Sequence, residues 1–339
     1  WEQRKLEQLA QFNPKSSLPD KFEYVDLESV VGTEMISHRT ETKENAPSRA
    51  QRLAIQGDVF YQTVRPYQKN NYLFDLPHNN YVFSTGYAQL RPFGDSYFLL
   101  SRLQDDKFVF NVLERSTGTS YPAINSSDLA QIEVGVPLVV EEQIKIGDFF
   151  KNLDNTIALH QRQLDNYKEL KKTMLQKVFN QELRFKDDYG NDYPEWEIKS
   201  FKDVFISIPS KEHQIKSSSY HEKGKYEVVD QGKEDVVGYS DQTEKLFENV
   251  PVIIFGDHTT NLKYRDNPFI VGADGVKLLK STEQAKYSFY VLEKFNVNQE
   301  GYKRHYSMLQ EINIPIPSRQ EQQRIENLLS SIDNKNRKL

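Results

Sequence analysis

The sequence of 339 residues contains no cysteine, no long apolar run and no excess of positive charge. Without cysteine, neither disulfides nor cysteine-ligated zinc sites can form. This fits a reducing compartment, and we expect a cytoplasmic protein. The apolar runs, such as Val250 to Phe255, are far too short to cross a bilayer, so no membrane partner is expected. The formal net charge is −5, so any binding of nucleic acid must depend on local basic patches.

Motifs of catalytic, metal and cofactor sites are also missing. The sequence has no glycine-rich dinucleotide or phosphate loop, no HExxH zinc motif and no GxSxG nucleophile motif. Asn267-Pro268-Phe269 has only one of the two prolines found in the Asn/Asp-Pro-Pro-Tyr/Phe motif of methyltransferases. His213 and His221 do not have the spacing of metal ligands on a helix. The sequence therefore predicts a chain that is not an enzyme and that holds no metal and no cofactor.

A long internal repeat is the main positive feature. PLVVEEQIKIGDFFKNLD begins at Pro137, and PSRQEQQRIENLLSSID begins at Pro317. Each copy follows a run with alternating apolar residues, QIEVGVP or EINIPIP, and such alternation is typical of a strand. A strand followed by the same helix opening, found twice, indicates a duplicated domain rather than a short-period solenoid.

Three further pairs of segments support the duplication. WEQRKLEQLAQF from Trp1 resembles WEIKSFKDVF from Trp196, and YFLLSRL from Tyr97 resembles YSFYVLEKF from Tyr287. Between them, Gly57-Asp58 is matched with Gly256-Asp257. Because all four pairs occur in the same order, we expect two similar domains that mix short strands with helices.

Each helix opening continues with apolar residues at alternating steps of four and three. In the first copy this pattern predicts a helix from about 140 to 181, about 60 Å long at 1.5 Å per residue, with His160 and Lys171 as polar interruptions. So narrow an apolar seam requires a helical partner, and the second copy, with its Ser318–Glu321 capping box, can provide one. We expect an antiparallel pair within the chain, although a self-dimerising coiled coil is the alternative. The helix-pairing residues are Ile146, Phe150, Leu153, Ile157, Leu164, Tyr167, Met174, Ile325, Leu329 and Ile332.

Basic and aromatic residues cluster at matching points of the two copies. FYQTVRPYQKNNY and ERSTGTSYPAIN in the first copy correspond in place to HTTNLKYR and GYKRHY in the second. Such side chains can neutralise phosphates and hydrogen-bond to base edges. Any single cluster is more simply explained as a solvated loop, but matching clusters in two copies favour a shared DNA-binding face. The predicted DNA-binding residues are Arg65, Tyr67, Lys69, Asn70, Arg115, Thr119, Tyr121, His258, Lys263, Arg265, Lys303, Arg304 and His305.

The helix openings, GDVFYQTVRPYQKN and FSTGYAQLRP from Phe83 are similar to segments of the specificity subunits of type I restriction–modification enzymes. The resemblance covers essentially the whole chain. It implies an α/β (α+β) fold with two similar target-recognition domains, joined by long helices in an antiparallel coiled coil with a pseudo-twofold internal repeat. The expected boundaries are 1–136 and 186–316 for the recognition domains, 137–185 for the central conserved helix and 317–339 for the C-terminal one.

The same resemblance implies a function. Each recognition domain would read one half of a bipartite double-stranded DNA target, while the helices would set the spacer and dock two modification subunits. Those subunits would methylate adenine with S-adenosylmethionine, and restriction subunits with ATP and Mg would join them in some complexes. The segment before Trp1 and the continuation beyond Leu339 are expected to be missing from this sequence. Two alternatives are the C-terminal specificity region of a fused methyltransferase or nuclease, and a coiled-coil adaptor that does not bind DNA.

Overall fold

The computed structural model describes residues 1–301 and 303–336, and the chain divides into two compact units, Trp1–Leu159 and His160–Leu339. Both units combine short strands with helices around their own apolar cores, as expected for a mixed fold. In the part of the chain that the structure describes, no helix is both long and apolar enough to span a membrane.

Unit 1 contains twelve strands and the first helices. Its strands are β1 (Glu2–Lys5), β2 (Ala10–Phe12), β3 (Lys21–Val25), β4 (Val30–Val31), β5 (Glu34–Met35), β6 (Arg39–Thr42), β7 (Ala50–Leu53), β8 (Val59–Gln62), β9 (Tyr72–Leu73), β10 (Tyr81–Ser84), β11 (Tyr87–Pro92) and β12 (Glu133–Val136). Its helices are α1 (Ser96–Leu103), α2 (Asp106–Glu114), α3 (Ser126–Ala130) and the beginning of α4 (Val140–Phe179), with short 3-10 turns at Leu6–Gln8 and Pro66–Gln68.

Unit 2 contains the end of α4 and all later elements. Its strands are β13 (Glu197–Ser200), β14 (Phe205–Ile208), β15 (Tyr226–Val229), β16 (Gly238–Ser240), β17 (Leu246–Phe247), β18 (Val252–Gly256), β19 (Leu262–Arg265), β20 (Phe269–Val271), β21 (Val276–Ser281) and β22 (Asn313–Ile316). Its helices are α5 (Phe201–Val204), α6 (Ala285–Phe295), α7 (Tyr306–Leu309) and α8 (Arg319–Asn336), with 3-10 turns at Lys211–His213, Ser217–Ser219 and Thr243–Lys245.

The two units have the same sheet topology. Unit 1 has the strand orders β6-β3-β10-β7 and β2-β11-β8-β9, and unit 2 has β16-β15-β20-β17 and β14-β21-β18-β19. One pair of strands is parallel in each unit: β3 with β10 in unit 1 and β15 with β20 in unit 2. The first strand of each unit also pairs with the last in an antiparallel manner, β1 with β12 and β13 with β22. This strand-for-strand match confirms the internal repeat.

Identical hydrogen bonds mark equivalent positions in the two copies. The indole Nε1 of Trp1 donates to Glu142 Oε1 at 2.8 Å, and that of Trp196 donates to Glu321 Oε2 at 2.9 Å. The predicted match of Trp1 with Trp196 is therefore correct. Only half of the predicted capping box forms: Ser318 Oγ accepts from the backbone N of Glu321 at 3.3 Å, while the Glu321 carboxylate is bound by Trp196 and Arg184.

One landmark of the predicted repeat is wrong. Gly57-Asp58 lies directly before β8, whereas Gly256-Asp257 lies at the end of β18, the strand equivalent to β8. The two dipeptides thus occupy opposite ends of equivalent strands. Their carboxylates also bind different groups, since Asp58 binds Arg91 in a bidentate pair and Asp257 accepts from the backbone N of His305 and Tyr306. A dipeptide is too short to define an alignment when the strand beside it carries no distinctive side chain.

Helix α4 has about the predicted length, but its apolar seam is buried only in part. Towards the C-terminal end, Met174, Leu175 and Val178 pack in the core that also contains Ile325 and Leu329 of α8. Lys171 Nζ lies 2.8 Å from Asp333 Oδ1, and Arg184, after the end of α4, binds Glu321. The two segments therefore run in opposite directions. Ile332 of α8 is also buried.

The middle of α4 contradicts the predicted burial. Phe150, Leu153 and Ile157 are 39%, 43% and 59% exposed and belong to neither of the two main apolar cores of the described residues. The reason is length, because α4 has 40 residues and the described part of α8 has 18, so α8 lies beside only the last turns of α4. Ile146 is half-buried at the unit 1 core, and Leu164 and Tyr167 are also half-buried.

Candidate nucleic-acid interface

Two loops that are far apart in the sequence meet in unit 1. Loop 63–71 joins β8 to β9, and loop 115–125 joins α2 to α3. The backbone N of Arg65 donates to the carbonyl of Pro122 at 2.7 Å, and the Arg65 guanidinium lies 4.5 Å from the centre of the Tyr121 ring. An isolated bridge between Val64 and Ala123 adds to the contact. The structure thus brings the two predicted clusters of this copy together; we call them the unit 1 loop pair.

The backbone of loop 63–71 is held in an unusual conformation. Arg65 and Lys69 have φ values of 54° and 55°, in the left-handed region that non-glycine residues seldom adopt. Asn71 Oδ1 accepts from the backbone N of Gln62 at 2.8 Å, and Asn70 Oδ1 accepts from that of Gly32 at 2.9 Å. Backbone strain of this kind persists only where surrounding contacts maintain it, so the loop is held in one shape. Asn70 is therefore engaged in holding the loop.

Equivalent loops also meet in unit 2. Loop 257–261 joins β18 to β19, and residues 296–301 and 303–305 lie between α6 and α7. The backbone N of His305 donates to the Asp257 carbonyl at 2.8 Å, and His258 Nδ1 lies 3.2 Å from the Lys303 carbonyl. We call these segments the unit 2 loop pair. In both copies the connection after the strand β8 or β18 therefore meets the segment before the last short helix of the unit, although unit 1 has the additional helix α2 ahead of that segment and the sequences differ.

Two predicted DNA-binding residues of unit 2 are buried in β19. Lys263 and Arg265 are each 7% exposed. Lys263 Nζ donates to the carbonyls of Asp230 and Glu234, and burial lowers the pKa of Lys263 despite the nearby Asp230. Arg265 pairs with Glu227 at 3.0 Å and Asp235 at 3.1 Å. Both cations hold the segment after β15 in place, so the prediction that they face DNA is wrong.

His305 is a third buried residue among the predictions. Its side chain is fully enclosed, with Nδ1 3.1 Å from the Asp257 carbonyl and Nε2 accepting from the backbone N of Glu300 at 3.0 Å. Both ring nitrogens are engaged by the backbone of the two loops. His305 therefore joins the loops to each other and cannot reach DNA.

The remaining predicted residues are accessible to different degrees. In unit 1, Tyr67 and Tyr121 are 49% and 63% exposed, Arg115 and Thr119 are exposed, and Arg65 is half-buried. Lys69 Nζ pairs with Asp106 Oδ1 at 2.5 Å, so its charge is partly neutralised. In unit 2, Arg304 is exposed, His258 is half-buried, and Lys303 pairs with Glu300 at 2.5 Å. Arg65 with Tyr121, and Arg304, are the basic groups of the two loop pairs best placed for an external ligand.

Sequence reasoning missed several polar residues beside these loops. Gln62, Gln68 and the strand β4 (Val30–Val31) line a groove next to Arg65. In unit 2, Gln231 Oε1 accepts from the backbone N of His258 at 3.1 Å. No local sequence signal marks these residues, because only the fold brings them next to the basic clusters. Within residues 1–301 and 303–336, no group of three potential ligands could hold a metal ion.

Comparison with known proteins agrees with this architecture. The sequence matches the family described as "Type I restriction modification DNA specificity domain" over residues 1–169 and 193–339. It is 26% identical over 270 residues to the MjaX specificity subunit of a type I restriction enzyme and 25% identical over 281 residues to the MjaVIII specificity subunit, both from Methanocaldococcus jannaschii. These alignments include 70% and 69% of this chain, but the chain spans only 61% and 65% of the two relatives.

Solved structures show the same fold. The S subunit of a type I restriction–modification system from M. genitalium aligns with a TM-score of 0.70, covering 100% of this chain and 90% of that chain at 16% identity. A second structure, described as the basis of assembly and conformational transition of a type I system, aligns with a TM-score of 0.52 at 21% identity.

Proposed function

Because the chain belongs to the family of type I restriction–modification DNA specificity domains, we propose that it is the specificity subunit of such a complex. Each unit acts as a target-recognition domain and reads one half of a bipartite double-stranded DNA target. The subunit performs no chemistry itself. Two modification subunits supply S-adenosylmethionine-dependent adenine methylation, and restriction subunits supply ATP- and Mg-dependent cleavage. The proposed place of action is the cytoplasm, where the DNA of a cell without a nucleus lies.

The equivalent loop pairs are the observation that carries the proposal. A duplicated fold with a ligand-facing loop pair in each copy suits a target with two half-sites. The loops differ between copies, with Arg65 and Tyr121 in unit 1 and Arg304 and His258 in unit 2, which suits half-sites of different sequence. An Arg side chain can bind guanine in a bidentate manner, while Lys and Arg also neutralise phosphates.

The helices serve a separate purpose in this proposal. In the assembled complex α4 takes part in an antiparallel coiled coil with α8, which sets the distance between half-sites. The exposed row Phe150, Leu153 and Ile157 supports this, since it repeats at the spacing of a coiled coil yet is uncovered in this chain.

The test is methylation by the reconstituted complex, with the motif determined by methylome sequencing. We expect Arg65→Ala or Tyr121→Ala to relax specificity in one half-site only, and Arg304→Ala to relax it in the other. Lys172→Ala is the control, because Lys172 is an exposed cation of α4 far in sequence from either loop pair. Normal methylation of the same motif by all three loop variants at limiting enzyme would contradict the assignment of the loops.

A further inference from the structure

A cleft in unit 1 lies between β1, the loop before α1 and the start of α4. It has a volume of about 280 Å³ and is lined by Arg4, Gly94, Phe98, Val136, Val140 and Gln143, among others. Arg4 of β1 is half-buried and lines the cleft, and its Nη2 donates to the carbonyl of Gln8 at 3.5 Å. The loop pairs contribute no residue to it, so the proposed DNA contacts do not account for this cleft.

The repeat identifies what fills the equivalent place in unit 2. Arg4 pairs with Val134 in the β1–β12 register as Lys199 pairs with Ile314 in the β13–β22 register, so Arg4 and Lys199 are equivalent. Gly94 and Glu283 are likewise equivalent, because each directly precedes the N-cap residue of α1 or α6. In unit 2 Lys199 Nζ lies 3.1 Å from Glu283 Oε1. The Glu283 carboxylate thus occupies the space that is open in unit 1.

The other groups of this arrangement are present in both units. Gln322 Nε2 donates to Pro317 O at 3.0 Å and to Glu283 Oε2 at 3.1 Å. Its equivalent Gln143 donates to Pro137 O at 3.2 Å. The outer ion pair is also shared, at 3.8 Å for Lys199 with Glu197 and 3.7 Å for Arg4 with Glu2. Unit 1 therefore keeps the cation and the amide that bind a carboxylate in unit 2, but has glycine where the carboxylate belongs.

The rim of the cleft also differs between the units, because it is apolar in unit 1 and mostly polar in unit 2. In unit 1 the cleft is lined by the exposed apolar residues Phe93 (70%) and Val140 (51%), and their apolar neighbours along α4 and the segment before it, Leu138, Val139 and Ile144, are 72%, 54% and 44% exposed; we call these five residues the rim. Because Gln143 is equivalent to Gln322, the residues equivalent to Val139, Val140 and Ile144 are Ser318, Arg319 and Gln323, and Thr282 is equivalent to Phe93; all four are polar. A cluster of exposed apolar side chains around a charged cleft is typical of a protein–protein contact.

In unit 2 the segment before the first strand, β13, does not cover the residues that are equivalent to this rim. In unit 2 the segment before β13 contacts α8 through Arg184 with Glu321 and Asp188 with Arg324. Arg319 and Gln323, which correspond to Val140 and Ile144 of the rim, remain exposed there. A second protein is therefore the occupant that fits the unit 1 rim.

We propose that the unit 1 cleft is a docking site for a modification subunit, which inserts a Glu or Asp side chain, flanked by apolar residues, between Arg4 and Gln143. This inference rests on the proposed function, because it takes the modification subunit as the partner. An Arg–carboxylate pair is directional and strong when its surroundings are apolar, and the rim supplies those surroundings. Unit 2 has no such vacancy, since its own Glu283 fills it. The two ends of the subunit therefore dock their partners by different contacts.

The test is the stoichiometry and affinity of the assembly, measured by native mass spectrometry and sedimentation of the full chain titrated with purified modification subunits. Gly94→Glu places a carboxylate in the cleft, as Glu283 does in unit 2; the new Cβ requires only that the end of the Gln143 side chain move. The attached carboxylate competes with that of the partner, so we expect one of two modification subunits to bind about tenfold more weakly or worse.

Charge reversal gives an independent variant that does not depend on space at Gly94. Arg4→Glu should weaken the same subunit, while Arg4→Lys should retain most of the affinity. Arg319→Glu is the matched control, because it reverses an exposed charge at the equivalent rim of unit 2. All variants should have the same melting temperature as the wild type.

Three results would overturn the proposal. Wild-type affinity for both modification subunits in Gly94→Glu and Arg4→Glu would sink it and leave the proposed function intact. Failure of the wild-type chain to bind any modification subunit would remove the proposed function and this site together. Self-association of the wild type that Arg4→Glu abolishes would instead assign the surface to a second copy of the chain.

Discussion

Lys263 and Arg265 illustrate how burial changes the role of a basic residue. In the sequence they belong to a cluster without acids, but in the fold their partners come from the segment after β15, about 30 residues away in the chain. A buried cation must be compensated by carbonyls or carboxylates, and here the compensation fixes a loop. Arg304, which directly precedes the buried His305, remains exposed.

This contrast gives a prediction about unit 2. Lys263→Ala should lower the free energy of unfolding by about 2 kcal/mol, because it leaves the Asp230 and Glu234 carbonyls without their donor. Arg304→Ala should change stability by less than about 0.5 kcal/mol. If Arg304 contacts a phosphate, its loss should reduce the salt dependence of DNA binding by about one unit of slope. Urea unfolding and binding at several salt concentrations separate the two effects. Equal stability of the two variants would contradict the structural role of Lys263.

The contacts of Lys171 explain why a polar residue interrupts the apolar seam of α4. Its Nζ lies 2.7 Å from Glu293 of α6 and 2.8 Å from Asp333 of α8, and Tyr290 OH donates to Asp333 at 2.8 Å. Burial raises the pKa of Glu293, and the attraction of Lys171 and Lys286 offsets this only in part. The cluster therefore links the helices α4, α6 and α8. The buried surroundings of Glu293 disfavour the charged form of its carboxyl group.

The raised pKa predicts a pH dependence with a definite sign. Between the ordinary carboxyl pKa of 4.5 and the raised value, the folded state binds more protons than the unfolded state. The free energy of unfolding should therefore fall as pH rises through this interval. Glu293→Gln lacks this titration while Lys171 and Asp333 remain, so stability of the wild type relative to the variant should decrease with rising pH.

Urea unfolding of both proteins between about pH 4 and pH 8 tests this sign. Glu169→Gln on the exposed side of α4 serves as the control, and its stability should parallel that of the wild type across the range. A wild type that gains stability over Glu293→Gln as pH rises would refute the prediction.

Helix α4 contains two stretches with different surroundings. Residues 148–162 are exposed along their whole length, whereas Leu175, Val178 and Phe179 belong to the core of unit 2. The apolar spacing is the same in both stretches. What differs is the packing: α6 and α8 cover the second stretch in an apolar core, whereas α1 contacts the first through a hydrogen bond from Tyr97 OH to Asp154 Oδ2 at 2.7 Å.

Alanine substitutions on one helix should reveal the difference. Leu175→Ala should destabilise unit 2 by about 2–5 kcal/mol, because it opens a cavity in a packed core. Ile157→Ala should change stability by less than about 0.5 kcal/mol in the isolated chain, since Ile157 is 59% exposed. Thermal unfolding of the two variants measures both effects. A large loss in Ile157→Ala would mean that the exposed stretch is already paired in solution.

At the scale of the whole molecule, the helix α4 begins in unit 1 and ends in unit 2. The part of α4 between residues 148 and 162 contributes to neither core, so its length can change without disturbing the fold of a unit. Under the proposed function, this stretch determines the gap between half-sites.

Seven residues inserted after Thr156 should therefore change the spacer and leave the half-sites unaltered. The insertion preserves the apolar spacing and lengthens α4 by about 10 Å at 1.5 Å per residue. With one base pair per 3.4 Å, the preferred spacer should grow by about three base pairs. Three base pairs also rotate one half-site by more than a quarter turn, so affinity should fall. Methylome sequencing of the variant complex gives the spacer directly. An unchanged gap with full activity would refute the role of α4 as a spacer.

The sequence by itself determined the repeat, the mixed fold, the length of α4 and the equivalence of Trp1 with Trp196. These features follow from local patterns: strand alternation, helical spacing and a capping serine depend on neighbouring residues, so they can be read without coordinates. Sequence similarity to specificity subunits also pointed to the family. The convergence of each loop pair could be suspected only because the clusters occur at matching places in both copies.

Only the tertiary structure decided which members of those clusters face outward. Lys263, Arg265 and His305 are buried because remote segments supply their hydrogen-bond partners, and Leu153 and Ile157 are exposed because α8 lies beside only the last turns of α4. The same holds for Gly94, which is unremarkable in the sequence. Its equivalence to Glu283 appears only from strand register and helix caps, since burial and register depend on contacts between segments that local patterns do not encode.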